Sequence, residues 1–570
     1  MEQSRLFMAI ILSIVVFVVW DHFFVPKKPA PQQPTSIQET ANGKSAQPQT
    51  TSSIVNENQD AGIVTPGAAA ATETISMNEA PARLLTLSTP FYTLKLSEKG
   101  AFIQSFTLND YYENKKEAIK KEMIPQDVAQ GTLSFDLLNN TMPGLRNAYF
   151  KADIDKDQIT LEKSTESITF THTSPLGVSI IKKFTFSKES YLFNLTITIV
   201  NNSGASIDDS AALTLTDIFP ESGSYGFEGP SALIDNTLEE IKTKKIKDKN
   251  VYSGQIQWIA LQNRYFMSSV IPGEKQDAKM HLHMTPFNLV SSDGAVSKPA
   301  HIIESTMVQT LGNLQSGNQK TFSYDLYIGP KSLRILKSTG HQLEKAVHFG
   351  FFDILAKPCL WIMNMFYDFI PNYGLAIIFL TILVKIIFWP LGTKAYKSMN
   401  DMKKLQPLMA QINEKYKNDP QKKNQEIMAL YKTYKVNPLG GCLPMIVQMP
   451  IFFALYQMLY SAIELRHASF FGWITDLSAP DRLFEFAFSI PFLQPPTGIP
   501  VLTLIMGASM FIQQKMSPPA GDPTQAKMMM MMPIFMTVIF INFSSGLVLY
   551  WLINNILSIS QQYYITRNNN

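Results

Sequence analysis

Lys385 is the side chain in this sequence whose type and position most demand a task. It stands inside Asn372–Pro390, a run that is otherwise uncharged and largely apolar. At about 1.5 Å per residue, such a run just crosses a hydrocarbon layer of roughly 30 Å. Stranding a charge there costs a few kcal/mol or more, so an ionisable residue at that depth is a functional candidate by default. A second reading stays open. Lys385 lies five residues before Pro390, and its stem can carry the ammonium out to the nearby interface.

The other apolar runs, residues 6–20, 443–463, 499–514, 528–543 and 547–563, contain no Asp or Glu. No ion pair within the membrane can then neutralise Lys385, and its charge must meet water or a visiting group. Uncharged polar residues recur in these runs and in that of Lys385: Thr381, Gln448, Gln513, Asn542, Asn554 and Asn555. Each alone is most simply a helix contact; with a lysine among them they make a wet groove credible. Met528–Met532 is either apolar filling or a thioether surface that repacks against many sequences.

The elements that must position these residues follow from composition. The chain has 570 residues and a net charge of +3, but residues 26–340 read as soluble and 350–566 as membrane-grade. The apolar run Leu6–Trp20 has no small-residue cleavage site directly after it, which predicts an uncleaved anchor within residues 1–25. Pro, Gln, Ser, Thr and Ala dominate 26–80, which predicts a disordered linker. The cysteines, Cys359 and Cys442, fall on opposite sides of the Lys385 span, so no disulfide is expected.

Across 81–340 the period is two. Phe193, Leu195, Ile197 and Ile199 alternate with Asn194, Thr196 and Thr198; Phe322, Tyr324, Leu326 and Ile328 alternate with Thr321, Ser323 and Asp325. Such runs, broken by turn residues at 201–204, 221–229 and 291–294, predict a large antiparallel sandwich. It shows no metal-ligand spacing, phosphate loop or catalytic triad. The basic run Lys242, Lys244, Lys245, Lys247 and Lys249 reads as a solvated loop, with a partner or lipid contact as the alternative.

Leu343, Val347, Phe351 and Leu355 recur every four residues, which predicts an amphipathic interfacial helix over 341–358. A membrane helix over 359–390 carries Lys385. Residues 391–435 hold ten lysines against four acids. Met399, Met402, Leu405, Met409, Ile412 and Tyr416 mark one helix there, and Ile427, Leu430, Tyr431 and Tyr434 another, with a turn at 417–421. The region 391–440 is thus a helical hairpin, cytoplasmic by the positive-inside rule, with Lys403, Lys404, Pro407 and Tyr431 as candidate contact residues. Spans at 441–465, 499–516, 528–543 and 547–566 follow, separated by an outer loop at 466–498 and an inner loop at 517–527. The fold class is an α-helical polytopic membrane core of six transmembrane helices, with both termini inside, a large external all-β domain and the cytoplasmic hairpin.

The residues KVNPLGGCLPMIVQMPIFFALY (435–456), KLQP (404–407), TDLSAPD (475–481), MFIQQKMSP (510–518) and SGLVLYW (545–551) resemble the YidC membrane protein insertases. The resemblance is specific over 350–566, and the domain layout extends it over the whole chain. It implies a Gram-negative inner-membrane insertase and chaperone with a hydrophilic groove open to the cytoplasm and the lipid. The groove's positive residue matches Lys385; many bacterial members carry arginine there, so charge is kept while the bidentate fork is lost. Thr381 and Gln448 match groove-lining positions, with Met445, Met449, Met532, Asn542 and Asn554 as candidate substrate contacts.

The resemblance also implies a periplasmic, mutarotase-like β-supersandwich, for which a sugar-binding role is fold analogy alone. Implied partners are nascent membrane proteins and the lipid bilayer, with the Sec translocon, the ribosome and the signal-recognition targeting machinery as candidates. No cofactor, metal or direct nucleic-acid contact is expected. Some members end in a long basic tail that holds ribosomes; this sequence stops at Arg567 and three asparagines, so a ribosome contact would fall to the hairpin and short loops. The alternative is a secondary transporter with Lys385 as its substrate or proton site, but the sequence shows neither internal repeats nor a membrane acid. A sugar-active periplasmic enzyme on an anchor would need only one span.

Overall fold

The computed structural model describes residues 82–568 except 129–130, 222–225, 274–277, 291–296, 435, 437–442, 487, 489, 492 and 517–522. The expected anchor at 6–20, the linker at 26–80, the turn at 291–294 and Cys442 lie outside the described residues.

Sheets of five, nine and five strands make up the β-domain. The two alternating runs are hydrogen-bonded neighbours in the nine-stranded sheet: Leu192–Asn201 pairs antiparallel with Gln319–Pro330, Leu195 opposite Tyr324 and Ile197 opposite Phe322. Their apolar members are buried. On the outer face, polar residues bond across the strands, the Asn194 amide donating to Asp325 at 2.9 Å and Thr198 meeting Thr321 at 2.9 Å. Tyr92 and Phe106, from the first five-stranded sheet, stack at 4.4 Å, and Phe106 meets Phe193 of the large sheet at 6.2 Å. Each such ring stabilises the packed state by roughly 1.5–3 kcal/mol. Lys182 crosses the same core, donating to the carbonyls of Gly100, Ala101 and Leu133. Burial pushes its amine down to about 7, and the three carbonyl acceptors match its three N–H donors.

Eight described helices follow: α1 (Leu333–Thr339), α2 (Asp353–Phe369), α3 (Tyr373–Lys415), α4 (Pro420–Thr433), α5 (Leu443–Ser461), α6 (Val501–Met516), α7 (Pro523–Phe540) and α8 (Ser545–Asn568). Among the described residues, α3 is the one helix long and apolar enough, by length and composition, to cross a membrane.

Three expectations are corrected here. Residues 341–358 do not form one amphipathic helix; they make two short 3-10 turns before α2 starts at Asp353. Gly350 adopts φ 66°, and the Phe349 N–H donates to Asp353 at 2.9 Å, fixing the break. Leu343 and Val347 are therefore buried while Phe351 is 76 % exposed. The expected helix 359–390 is likewise two helices. Pro371 disfavours helical backbone at Ile370, and the Asn372 side chain caps α3 by accepting from the Leu375 N–H at 3.1 Å. Finally, α3 does not stop at Pro390. It continues for 43 residues through Pro390 and Pro407, since a proline deletes one backbone bond and kinks a helix that is well formed on either side. The hairpin's first arm and the Lys385 helix are one element.

Candidate functional site

The neighbours α3 and α8 run parallel, Lys385 meeting Ser558 and Trp389 meeting Gln561 one turn on, and join along a polar seam. Lys385 on α3 is only 9 % exposed, and its Nζ donates to Ser558 Oγ on α8 at 2.6 Å. Ser558 in turn donates to the Asn554 carbonyl at 2.7 Å. Among the described residues no charged group acts on Lys385. Thr381, one turn earlier, is buried and donates to the Ile377 carbonyl at 2.6 Å. Asn554, Ser558 and Gln561 stand four and three residues apart, so one face of α8 presents them all. Gln561 donates to the Trp389 carbonyl at 3.0 Å. Gly392 leaves room for it, since a Cβ there would stand 2.9 Å from the Gln561 amide.

The seam branches to the neighbouring helices. Gln448 on α5 reaches Asn554 Oδ1 at 3.5 Å, and Asn555 donates to Ser509 on α6 at 3.1 Å. Lys385, Ser558, Asn554 and Gln448 thus stand in one polar network, while Thr381 bonds within its own helix. Met449 and Met532 are 40 % and 47 % exposed on α5 and α7 and do not join it; the side chain of Met445 lies outside what is described. Asn542 is a correction. It sits in the turn after α7, where its Oδ1 accepts from Arg482 Nη2 at 3.1 Å and from the Gln494 N–H at 3.0 Å. Arg482, from the loop before α6, holds it away from the seam.

In the hairpin, Leu405 and Met409 are buried while Lys403, Lys404 and Pro407 are exposed on the other face. Tyr431 of α4 donates to Met409 Sδ at 3.5 Å, joining the two arms. Asp419 caps α4 by accepting from the Lys422 N–H at 3.0 Å, with Pro420 in the first turn. Lys404 and Asp401 are 3.7 Å apart and mostly exposed, so that pair contributes little.

Sequence reasoning missed the residues that close the other end of the helices. Asp481, 3 % exposed, caps α6 by accepting from the Leu502 N–H at 2.7 Å and the Thr503 hydroxyl at 3.0 Å. Arg482 donates to the Ile541 and Pro496 carbonyls at 2.8 and 3.0 Å. The carbonyls of Ala479 and Leu477 accept from the N–H groups of Ser545 and Gly546, at 2.7 and 2.9 Å, and so cap α8. Hydrogen bonds from His467 and Ser478 hold the Asp476 carboxyl below its usual range, against a burial that raises it. The same loop grips the β-domain: Arg466 donates to the Tyr112 carbonyl at 2.7 Å, and Lys115 to the His467 carbonyl at 2.9 Å. An Asp-Arg pair at the end of TDLSAPD, shortly before an apolar run, is the signal that could have found the cap.

Asp481→Ala removes a buried cap and is expected to destabilise the helical core by about 1–2 kcal/mol. Thermal unfolding of the purified protein checks this, and an unchanged midpoint would show that α6 is held otherwise.

The family described as "60Kd inner membrane protein" matches residues 365–570, and that described as "YidC periplasmic domain" matches residues 84–362. A membrane protein insertase YidC from Syntrophobacter fumaroxidans is 38 % identical over 577 residues, covering 99 % of this chain and 100 % of the relative. The YidC of Pelobacter propionicus is 37 % identical and covers 99 % of each. Among solved structures, an active YidC insertase with its first transmembrane domain resolved is 17 % identical with a TM-score of 0.37, covering 85 % of this chain and 94 % of that one.

Proposed function

The chain belongs to the YidC family of membrane protein insertases, and from that premise we propose how its own residues carry insertion. It is an inner-membrane protein whose substrates are nascent membrane proteins. The transporter reading has no support among its relatives.

A client segment enters from the cytoplasm beside the hairpin and is drawn along the seam, where Lys385 attracts the carboxylates of the tail to be translocated. The single observation that carries this reading is Lys385 itself: a buried ammonium whose partner is a neutral hydroxyl. A carboxylate is the complement it lacks, and attraction at reduced dielectric shortens the path over which a tail's charge faces hydrocarbon. No covalent step, nucleotide or metal enters the proposal.

The proposed topology has six spans: the expected anchor, the apolar part of α3, and α5 to α8. The six-charge excess of 391–435 supports a cytoplasmic hairpin, and the acid-rich loop before α6 supports an outer location for the β-domain that grips it. The hairpin's exposed lysines and the short inner loops are where the ribosome, targeting machinery or Sec translocon would meet this chain. No sugar chemistry is assigned to the β-domain.

The test is depletion of the protein in its host, followed by a census of inner-membrane proteins. Failure of insertion for a defined set supports the proposal; a metabolite-uptake defect with normal insertion overturns it. A second expectation concerns the β-domain. The seam and the caps on α6 and α8 lie wholly after residue 340, so deleting the body of the sandwich while keeping the first span and residues from about 340 onward should leave insertion largely intact. Complete loss by a stably expressed deletion would contradict that.

A further inference from the structure

We infer that Ser558 is a positioning residue for insertion: it parks the Lys385 ammonium inside the seam until a client carboxylate takes its place. The inference rests on the proposed role of Lys385 and adds what keeps that charge available.

A lysine this close to the end of the apolar part of α3 has a stem long enough to reach water on its own. Two features oppose that escape. Ser558 Oγ holds Nζ at 2.6 Å, and the serine's single proton is committed to the Asn554 carbonyl at 2.7 Å, so toward Lys385 the hydroxyl acts purely as an acceptor. Further along the same face of α3, Gln561 lies across the seam, bonded to the Trp389 carbonyl at 3.0 Å and to Thr393 Oγ1 at 3.3 Å. The glutamine fits because Gly392 has no side chain. The ammonium is thus retained at depth by a neutral acceptor, with its way out occupied.

A neutral acceptor suits this task because it can be displaced. A carboxylate adds to the hydrogen bond the attraction of opposite charges at reduced dielectric, so an incoming carboxylate outcompetes a hydroxyl for the same ammonium. Ser558 keeps its own bond to Asn554 throughout, and the ammonium has a hydrogen-bond acceptor both before and after the client arrives. An aspartate in its place would neutralise Lys385 permanently and exclude the client.

The test uses the full-length protein in an insertion assay with two clients, one with an acidic translocated tail and one with those acids neutralised. Ser558→Ala should lower the ratio of acidic-tail to neutral-tail insertion roughly three- to tenfold, the size of one lost hydrogen bond. Ser558→Thr should restore the ratio, and Ser558→Ala should add nothing in a Lys385→Ala background. Equal losses for both clients, or losses additive with Lys385→Ala, would overturn the inference and make Ser558 a packing residue. An unchanged ratio in Ser558→Ala, with Lys385→Ala still selective for acidic tails, would overturn it alone, since Lys385 would then need no parking. If Lys385→Ala itself shows no selectivity, the reading beneath it fails as well.

Discussion

Insertion of a client whose translocated tail carries several carboxylates is expected to fall to background in Lys385→Glu. At an effective dielectric of about 20, a unit charge roughly 8 Å away contributes about 2 kcal/mol, and reversing its sign turns that attraction into repulsion of similar size. Lys385→Ala removes only the attraction and should lower insertion of the same client roughly five- to thirtyfold, since 1.4 kcal/mol is about a factor of ten. Lys385→Arg keeps the charge and should be tolerated. Clients with uncharged tails should depend on Lys385 less. Removing tail acids one by one decides the matter: a loss in Lys385→Ala that is the same at every tail charge would mean the lysine is structural.

Removal of residues 398–433 should abolish insertion of all clients while α5 to α8 still assemble. The capping contacts that hold those helices, Asp481 to Leu502 and Ala479 to Ser545, lie outside the deleted stretch. What is lost is the polar extension of α3, continuous with the Lys385 segment, and the α4 arm joined to it through Tyr431 and Met409. A client displaced on that arm loads the lysine-bearing helix directly. Normal insertion, measured together with thermal unfolding of the deletion variant, would refute a receiving role for the hairpin.

The sandwich was legible because strand periodicity is local: Leu195 and Ile197 alternate with threonines whatever they pair with. That these residues sit opposite Tyr324 and Phe322 was not legible, because register depends on a partner more than a hundred residues away. The 341–358 stretch misled because a four-residue recurrence ignores backbone; one glycine at positive φ and one aspartate accepting an N–H break the helix. Pro390 misled in the opposite sense, read as an end where the helix runs through. In the site, Lys385 stood out as a charge in an apolar run, but its hydroxyl partner on α8 was hidden among many serines. Asn542 looked like the other amides because apolar sequence does not say which end of a helix a residue occupies; only Arg482, sixty residues earlier, does.

The loop that caps α6 and α8 has a consequence for how the protein itself is made. Its acceptors at Leu477 and Ala479 are translated long before their donors at Ser545 and Gly546, and Lys385 leaves the ribosome 173 residues ahead of Ser558. Between residues 385 and 558 the growing polypeptide therefore carries an unheld lysine, and the loop at Leu477 and Ala479 stays unclosed until α8 is made. A polypeptide cut short before residue 545 lacks both the hydroxyl that holds Lys385 and the N–H donors that close the loop at Leu477 and Ala479.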